Sequence, residues 1–474
     1  MNLKSYLTHP VFKVISSLTE AENIEAFVVG GFVRDILLKR ESKDIDFVCV
    51  GSGIELAEKA AKILHPKINV NVFKNFGTAQ FMHDGWDLEF VGARKESYQR
   101  DSRKPIVEEG TLQDDQLRRD FTINAMAISL HPSNFGELID PFGGLDHIAN
   151  DVIKTPTNPD ITFSDDPLRM MRAIRFAAQL NFYIEEDTLA AITRNAARIK
   201  IISQERVTDE LNKIILSKKP SIGFRLLEET GLLSLIFPDM QKLKGVQTVD
   251  DKSHKDNFYH TLQVLDNICF STTDLWLRWA AILHDIAKPA TKRFEDGIGW
   301  TFHGHEVLGS KFVPRIFRNF KLPLGSEMKF VQKLVYLHLR PIALSKESIS
   351  DAALRRLLFE AGDDIDSLMK LCEADITSKN QMKVTRFLKN FEMVRQKLKD
   401  VEARDSIRNF QPPVSGQLIM ETFGIGPSRE VGLIKDKIKD AILDGAIKNN
   451  FDEANSLMLK LATELGLTPI VRTI

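Results

Sequence analysis

Three cysteines in 474 residues are too few for a disulfide framework. Cys49, Cys269 and Cys372 lie far apart and show no paired metal-ligand spacing. That pattern suits a reducing cytoplasm, which is the expected compartment. No apolar run approaches the ~20 residues that a membrane helix needs, so no membrane partner is expected. Met1–Pro10 lacks the basic flank and apolar stretch of a signal peptide. Tandem repeats and low-complexity tracts are also missing, which argues against solenoids and disordered arrays. A net charge of −1 carries no global signal for nucleic acid. What remains, 43% apolar and 27% charged residues, is ordinary for a folded globular protein. The length asks for more than one core.

Charge distribution says more than its total. Arg94, Lys95, Arg100, Arg103, Lys104, Arg118 and Arg119 crowd one stretch. Arg169, Arg172, Arg175, Arg194, Arg198 and Lys200 crowd another. Such surfaces can follow a phosphate backbone, and they can equally be solvated helix faces. Ala26–Val29, Ile45–Val50, Ile68–Phe73 and Leu88–Val91 read as strands. From about residue 142 the apolar spacing becomes helical. Breaks fall at Thr155–Asp160, at Phe237-Pro238-Asp239 and at Gln411-Pro412-Pro413. The expectation is an α+β chain: a small mixed-sheet head followed by a long helical remainder.

The first chemical signal is FVVGGFVRDILLKRESKDIDFVCV, Phe27 to Val50. Gly30-Gly31 follows a strand and precedes a helix, so backbone N–H groups there can approach a phosphate. Arg34 can add a charged fork. In Asp44-Ile45-Asp46-Phe47, strand alternation sends both carboxylates to one face, about 7 Å apart. Hard carboxylate oxygens in that arrangement suit Mg²⁺. An isolated Asp-x-Asp is usually exposed polar surface; the preceding Gly-Gly-x-x-Arg-Asp sharpens it.

GGFVRD with DIDFV resembles the polymerase-beta-type nucleotidyltransferase superfamily, in the branch of bacterial tRNA CCA-adding enzymes and poly(A) polymerases (class II). LRRDFTINAMAISL, Leu117 to Leu130, is similar to that branch's second motif, and DPFGGLDH, Asp140 to His147, to its third. The match runs through roughly residues 20 to 215, in the family's order. It implies a polymerase-beta-like head at 1–140 and a helical neck at 141–245. It also implies untemplated addition of C, C and A to the tRNA 3′ end, from CTP and ATP, by two-metal phosphoryl transfer with Mg²⁺. Asp44 and Asp46 would hold the metals, and Gly31 and Arg34 the triphosphate. Arg119, with Asp120 beside it, would meet the incoming nucleotide, and Asn124 would support that region. Glu89 is a candidate third carboxylate, though an exposed strand residue would look the same.

SDDPLRMMRAIRFAAQL reads as one helix from Ser164 to Leu180, capped by Ser164 or Asp165. Met170, Met171, Ile174, Ala177 and Ala178 form its apolar arc. Asp166, Arg169 and Arg172 lie opposite, with Arg175 at the edge. Cytosine and adenine each offer an amino donor beside a ring-nitrogen acceptor, whereas uracil and guanine reverse that order. Ionised Asp166 accepts only and Arg169 donates only, so together they would pair with C or A and reject U or G. The resemblance implies this selection through a Glu-Asp-x-x-Arg motif, from which the chain departs by carrying Asp165 in place of Glu. Arg172 and Arg175 match positions that in the resembled family face nucleotide phosphates or the template pocket. Glu205–Arg206, in ISQERVTDEL, is expected to brace the neck.

His254, His260, His284, His303 and His305 gather in HKDNFYHTLQVL, LRWAAILHDIAKP and FHGHEVLGSK. This order resembles the HD phosphohydrolase superfamily and implies an HD body at 246–370. His260, His284, Asp285 and a later acid, expected at Asp351 in SISDAALRR, would bind a divalent transition metal. His303 and His305 would complete a binuclear site or hold a phosphate. In tRNA-finishing enzymes such a module resembles a phosphohydrolase of 2′,3′-cyclic ends or 2′-nucleotides. Residues 371–474 are expected to be a helical tail that holds tRNA; its FGIGP turn reads either as a phosphate contact or as a helix–loop–helix corner. Three alternatives remain: a poly(A) polymerase, a CC-only or A-only enzyme, and a metal phosphohydrolase with an RNA-binding head. The stretch from Glu89 to Arg118 has room for a mobile loop associated with the final A. Oligomeric state is not legible.

Overall fold

The computed structural model describes residues 1–74, 77–97, 106–344, 350–378, 380–408 and 410–470. It divides into two compact units, Met1–Gln241 and Lys242–Ile474. Arg100, Arg103 and Lys104 of the first basic cluster lie outside the described residues, as do residues 98–105 of the stretch from Glu89 to Arg118 in which a loop is expected.

The first unit is built on strands β1 (Ala26–Val29), β2 (Asp44–Cys49), β3 (Asn71–Phe73), β4 (Thr78–His83) and β5 (Trp86–Gly92). A separate hairpin of β6 (Arg94–Ser97) and β7 (Ile106–Glu109) follows, then β8 (Ala127–Ser129) and β9 (Leu138–Ile139). The main sheet runs β3-β4-β5-β2-β1-β8-β9. Within it β2 and β5 are parallel and every other pairing is antiparallel. A parallel pair needs a crossover, supplied here by helix Gly53–Leu64 together with β3 and β4.

Register decides where the carboxylates point. Phe47 stacks on Phe90 at 4.6 Å, and Phe90 on Phe81 at 5.4 Å, across three neighbouring strands. Phe12, from helix Pro10–Glu22, closes on Phe47 at 6.0 Å. Burying each ring is worth roughly 2–3 kcal/mol. A one-residue slip would expose the whole set, so Ile45 and Phe47 are held inward and Asp44 and Asp46 face the other way. Two strand expectations need correction. β3 begins at Asn71 rather than Ile68, and β4 was not anticipated, because its alternation rests on Ala79 and Phe81 alone.

The helix expected from Ser164 begins instead at Leu168. Ser164 and Asp165 end a preceding helix, Pro159–Asp165, capped by Asn158. Asp166 lies between the two helices with φ −136° and ψ 99°, an extended conformation that the following Pro167 favours by clashing with αR geometry. Met170, Met171, Ile174, Ala177 and Ala178 are buried.

The second unit is mainly helical, with two short hairpins at 248–253 and 293–301. Its core includes Trp279 against Phe317 and Phe320. The Gln411–Pro413 break separates helices Gln381–Asp405 and Gly416–Phe423. In FGIGP, Gly424 ends the latter helix in the left-handed region, where a Cβ would sit 2.2 Å from Ile470. That is the geometry of a packed corner. Among the described residues no helix is long and apolar enough to cross a membrane.

Candidate active site and metal centre

Because β2 and β5 are parallel and in register, Asp44 stands opposite Asp87 and Asp46 opposite Glu89. Four carboxylates therefore share one patch of sheet. All four line the adjoining cavity, where Gln80 on β4 donates to both oxygens of Asp87 at 2.6 and 2.7 Å. Burial raises the Asp46 carboxyl above its ordinary value; Arg119 pulls it down, and Asp44, Asp115 and Asp87 push it up again. Glu89 is raised by burial, then by Asp46 and Asp87. This patch disfavours its own ionisation, and a bound cation would reverse that. The glycine before the helix is sterically obligatory: Gly30 has φ +75°, and a Cβ there would lie 3.0 Å from Asp46 Oδ2 and 3.1 Å from Arg119 Nη1.

The cavity, about 790 Å³, is acidic on the sheet side and basic on the other, where Arg34, Arg119, Arg172, Arg175 and Lys213 line it. Each arginine is held. Fully buried Asp115 bonds Arg119 through Nε and Nη2 at 3.0 and 2.9 Å and also pairs with Arg118. Burial alone would raise the Asp115 carboxyl, but Arg119 and Arg118 hold it below its ordinary value. Asp120 accepts from Arg172 at 2.7 Å and from Asn124 at 3.0 Å, and Asn124 accepts from Arg34 at 2.9 Å. Against the cost of burial, Arg172, the Asn124 hydrogen bond and Arg169 lower Asp120 to about 2. Arg34, Arg172 and Arg175 surround the Phe176 ring at 5.0, 5.4 and 4.2 Å. Arg175 is itself buried against Glu210.

The third motif acts through the second. Asp140 accepts from the N–H groups of Gly144 and Leu145 at 2.7 and 2.8 Å and so starts helix Gly144–Ala149. A Cβ on Gly144 would lie 2.5 Å from the Thr122 carbonyl oxygen, and His147 bonds the Thr122 hydroxyl at 2.9 Å. DPFGGLDH thus braces the turn that carries Asn124.

Asp166 and Arg169 are held by different groups. Asp166 accepts from Leu168 N–H at 3.1 Å and lies 3.4 Å from Arg206. Arg169 donates to the Arg118 carbonyl at 2.5 Å and to that of Thr162 at 3.4 Å. Arg206 is therefore joined to Asp166, a contact that the sequence expectation of a neck brace did not contain. Asp115 was also missed; its sequence signal is modest, an acid one helical turn before an Arg pair.

In the second unit, helix ends converge. His260 comes from helix Asn257–Ile268, His284 from the end of Leu275–Leu283, and Asp375 from the end of Ile365–Ala374. His260 Nε2 lies 2.9 Å from Asp375 and 3.4 Å from Asp285, while His284 Nε2 lies 3.2 Å from Asp285 and 3.7 Å from Asp375. His284 Nδ1 donates to the Ala281 carbonyl at 2.8 Å, which turns Nε2 towards the two carboxylates; against the cost of burial, Asp285 and Asp375 push the ring up to about 10. That buried Nε2 has no hydrogen-bond partner. Two imidazole nitrogens converging on two carboxylates form a donor set that a divalent transition ion could take in place of the ring protons.

Asp351, the expected fourth ligand, is elsewhere. It occupies the first turn of helix Asp351–Ala361, where a carboxylate suits the helix dipole, and it pairs with Arg404 at 2.7 Å in solvent. Asp375 takes the place instead; it lies in LCEADITSKN, which has no local pattern to single it out. His303 is 82% exposed and outside the cluster, and His254 bonds to Lys292 and Gln247. His305 joins Asp285 at 3.2 Å, as does His338, unanticipated, at 3.9 Å.

Three family patterns match: "Poly A polymerase head domain" at 26–154, "Probable RNA and SrmB- binding site of polymerase A" at 181–243, and "HD domain" at 257–380, which takes in Asp375. The chain is 40% identical over 205 residues to an A-adding tRNA nucleotidyltransferase of Aquifex aeolicus. It is 43% identical over 210 residues to a CCA-adding enzyme of a Geobacillus species. These alignments cover 43% and 44% of this chain but 24% and 50% of those relatives' own lengths. A multifunctional CCA protein of Nitrosococcus oceani is 31% identical over 365 residues, covering 74% of this chain and 84% of that one. Among solved structures, a CCA-adding enzyme of Bacillus stearothermophilus in complex with CTP shares the fold, with a TM-score of 0.68, 23% identity, and 97% and 100% of the two chains covered. With its head, RNA-binding and HD patterns in that order, the chain belongs to the bacterial family of CCA-adding enzymes and poly(A) polymerases, in the form that carries an HD domain.

Proposed function

We propose that this chain adds C, C and A to the 3′ end of tRNA from CTP and ATP without a nucleic-acid template. The observation that carries this reading is the two-sided cavity: clustered carboxylates on β2 and β5 face fixed arginines across a space suited to a nucleoside triphosphate. The acidic patch fits Mg²⁺, since every donor is a hard oxygen. Asp44 and Asp46 would hold it, with Glu89 beside them. Bound there, the ions supply activation of the attacking 3′-hydroxyl and charge neutralisation on the triphosphate. The chain's own groups position the substrates. Backbone at Gly30–Gly31 admits the phosphates, while the cationic Arg34, Arg119, Arg172 and Arg175 offset their negative charge. Asp166 accepts from, and Arg169 donates to, the Watson–Crick edge of C or A. Asp120 and Asn124 orient Arg172 and Arg34.

The four-part organisation of head, neck, HD body and tRNA-holding tail belongs to the same reading. In the HD body, His260, His284, Asp285 and Asp375 would hold a divalent transition metal, which supplies a nucleophilic hydroxide for phosphoester hydrolysis. The convergence of His260, His284, Asp285 and Asp375 supports the metal on which this second activity would depend.

The test is incubation of the pure chain with tRNA lacking its CCA end and each labelled nucleoside triphosphate. CTP incorporation followed by ATP incorporation supports the reading. ATP transfer confined to tRNA ending in CC makes it an A-adding enzyme, and C transfer without A a CC-adding one. ATP tailing of any RNA makes it a poly(A) polymerase. Absence of all transfer overturns the proposal.

A further inference from the structure

The His-Asp centre of the second unit is open on the side of Asp375 and Lys288, whose side chains are 18% and 20% exposed. Those of His284, Asp285 and His338 are buried. Two chains of contacts run outward from the open side to the short hairpins at 248–253 and 293–301. In one, the Thr377 hydroxyl joins the His260 ring, at 3.0 Å, to the Lys255 ammonium, at 2.9 Å. In the other, Lys288 bonds Asp285 at 2.6 Å and lies 5.6 Å from the Phe302 ring. His254 meets Phe302 edge-on at 5.8 Å and Trp300 at 5.5 Å.

Three lysines along this rim keep their charge uncancelled. Lys292 donates to His254 Nε2 and lies 4.4 Å from the Trp300 ring centre. His254 Nδ1 donates to the Lys255 carbonyl at 2.6 Å, and its Nε2 also accepts from the Gln247 N–H at 3.2 Å, so this ring is a neutral acceptor. Lys252 donates to the Gly297 carbonyl at 3.0 Å, and Lys255 to the Thr377 hydroxyl. An imidazole, a carbonyl and a hydroxyl thus orient the three ammonium groups, and among the described residues none of the three is ion-paired with a carboxylate. Burial draws the Lys292 amine below its ordinary value, with no acid to offset it. The neighbouring acids are placed otherwise. Asp256 caps helix Asn257–Ile268, Glu295 accepts from Thr301, and Asp250, Asp251 and Asp296 lie in the two hairpin turns.

A mononucleotide brings a phosphate for the metal centre and leaves these three cations nothing to neutralise. An RNA strand brings a further phosphate with each nucleotide, and lysines at the mouth of a site can follow such a backbone without reading its sequence. We propose that Lys252, Lys255 and Lys292 bind the phosphate backbone of a single RNA strand whose terminal phosphate enters the HD centre. This rests on the phosphohydrolase reading of the HD body and narrows its substrate to RNA ends over free nucleotides.

The experiment uses the full-length chain supplied with Mn²⁺ and two substrates. One is a short single-stranded RNA ending in a 2′,3′-cyclic phosphate, the other adenosine 2′,3′-cyclic monophosphate. Combined Lys252→Ala, Lys255→Ala and Lys292→Ala should raise KM for the RNA about 10-fold more than KM for the mononucleotide, with kcat moving far less. The dependence of log KM for the RNA on log salt should lose roughly 2 in slope, from about 0.7 for each phosphate contact removed on a single strand. Arginine at the three positions should restore both. A photocross-link from 4-thiouridine beside the RNA end, on protein stripped of metal, should fall within 248–255 or 292–302. Circular dichroism melts check folding; should the loss of the Lys292–Trp300 contact unfold the triple variant, Lys252→Ala with Lys255→Ala replaces it, both side chains being exposed. An RNA KM that does not move, or equal changes for the two substrates, overturns the proposal. Hydrolysis of neither substrate overturns the phosphohydrolase reading instead. The cross-link then decides alone: inside the two segments it supports the RNA contact, and elsewhere it overturns it.

Discussion

The head cavity and the HD cluster both gather acidic side chains, yet they do so in opposite chemical settings. In the head, oxygen donors line an open cavity opposite arginines. In the HD body, buried imidazoles outnumber carboxylates and each ring is anchored from behind. The first arrangement suits a hard ion that arrives with a triphosphate and leaves with the product. The second suits a borderline ion that stays. The two clusters thus differ in donor type and in burial.

The most severe way to break this comparison is Asp46→Ala. Nucleotide transfer should fall by about 10³-fold or more, equivalent to roughly 4 kcal/mol of transition-state stabilisation. Metal content of the HD body should not change. If transfer persists, the head does not work through its carboxylates. The reciprocal change, His284→Ala, should remove phosphoesterase activity on 2′,3′-cyclic substrates and leave C and A addition intact; equal loss of both activities would show that the two sites are not independent.

A third variant tests the segment beside the cavity that carries Asp166 and Arg169. Arg169→Ala should let UTP or GTP compete, with discrimination falling about 10- to 100-fold for roughly 1–3 kcal/mol of lost base reading. Total incorporation of all four nucleotides measures it; unchanged selectivity would remove Arg169 from base choice.

Acid stability tests the support beneath the basic side of the cavity. Asp120 has its folded-state pKa depressed to about 2. Its contribution is therefore fully present above the unfolded value near 4 and is lost as pH falls towards 2. The loss should be roughly 2 kcal/mol. Chemical denaturation at pH 7 and pH 3 should show Asp120→Asn narrowing the difference between the two; an unchanged difference refutes the assignment.

The smallest effect has the opposite sign. Burial and neighbouring acids raise the Asp46 carboxyl despite Arg119, so its ionised form costs stability without metal. Asp46→Asn should raise the metal-free melting temperature slightly at neutral pH while removing activity. A lower melting temperature would mean that the Arg119 contact outweighs the repulsion.

Much of the head was readable from sequence because its chemistry is local. Strand alternation alone turns Asp44 and Asp46 to one face, and the Gly-Gly turn lies beside them in the chain. The apolar arc of the helix ending at Leu180 follows from a 3.6-residue period. Chemistry that depends on non-local register was harder to read. Glu89 gains its meaning by pairing opposite Asp46, which a single strand does not reveal. Asp115 matters because two arginines fold back onto it. In the HD body, the adjacent His284-Asp285 pair stood out, but Asp375 and His338 lie far along the chain in segments without a motif. Asp351 has only the local look of a ligand and belongs to a solvent ion pair.

The sequence by itself determined the motifs, their order and the faces of single strands and helices, since these depend on neighbours a few residues apart. Only the tertiary structure decided which distant acids and imidazoles meet. That choice is made by strand register and by where helices end, and both are set by packing the whole core.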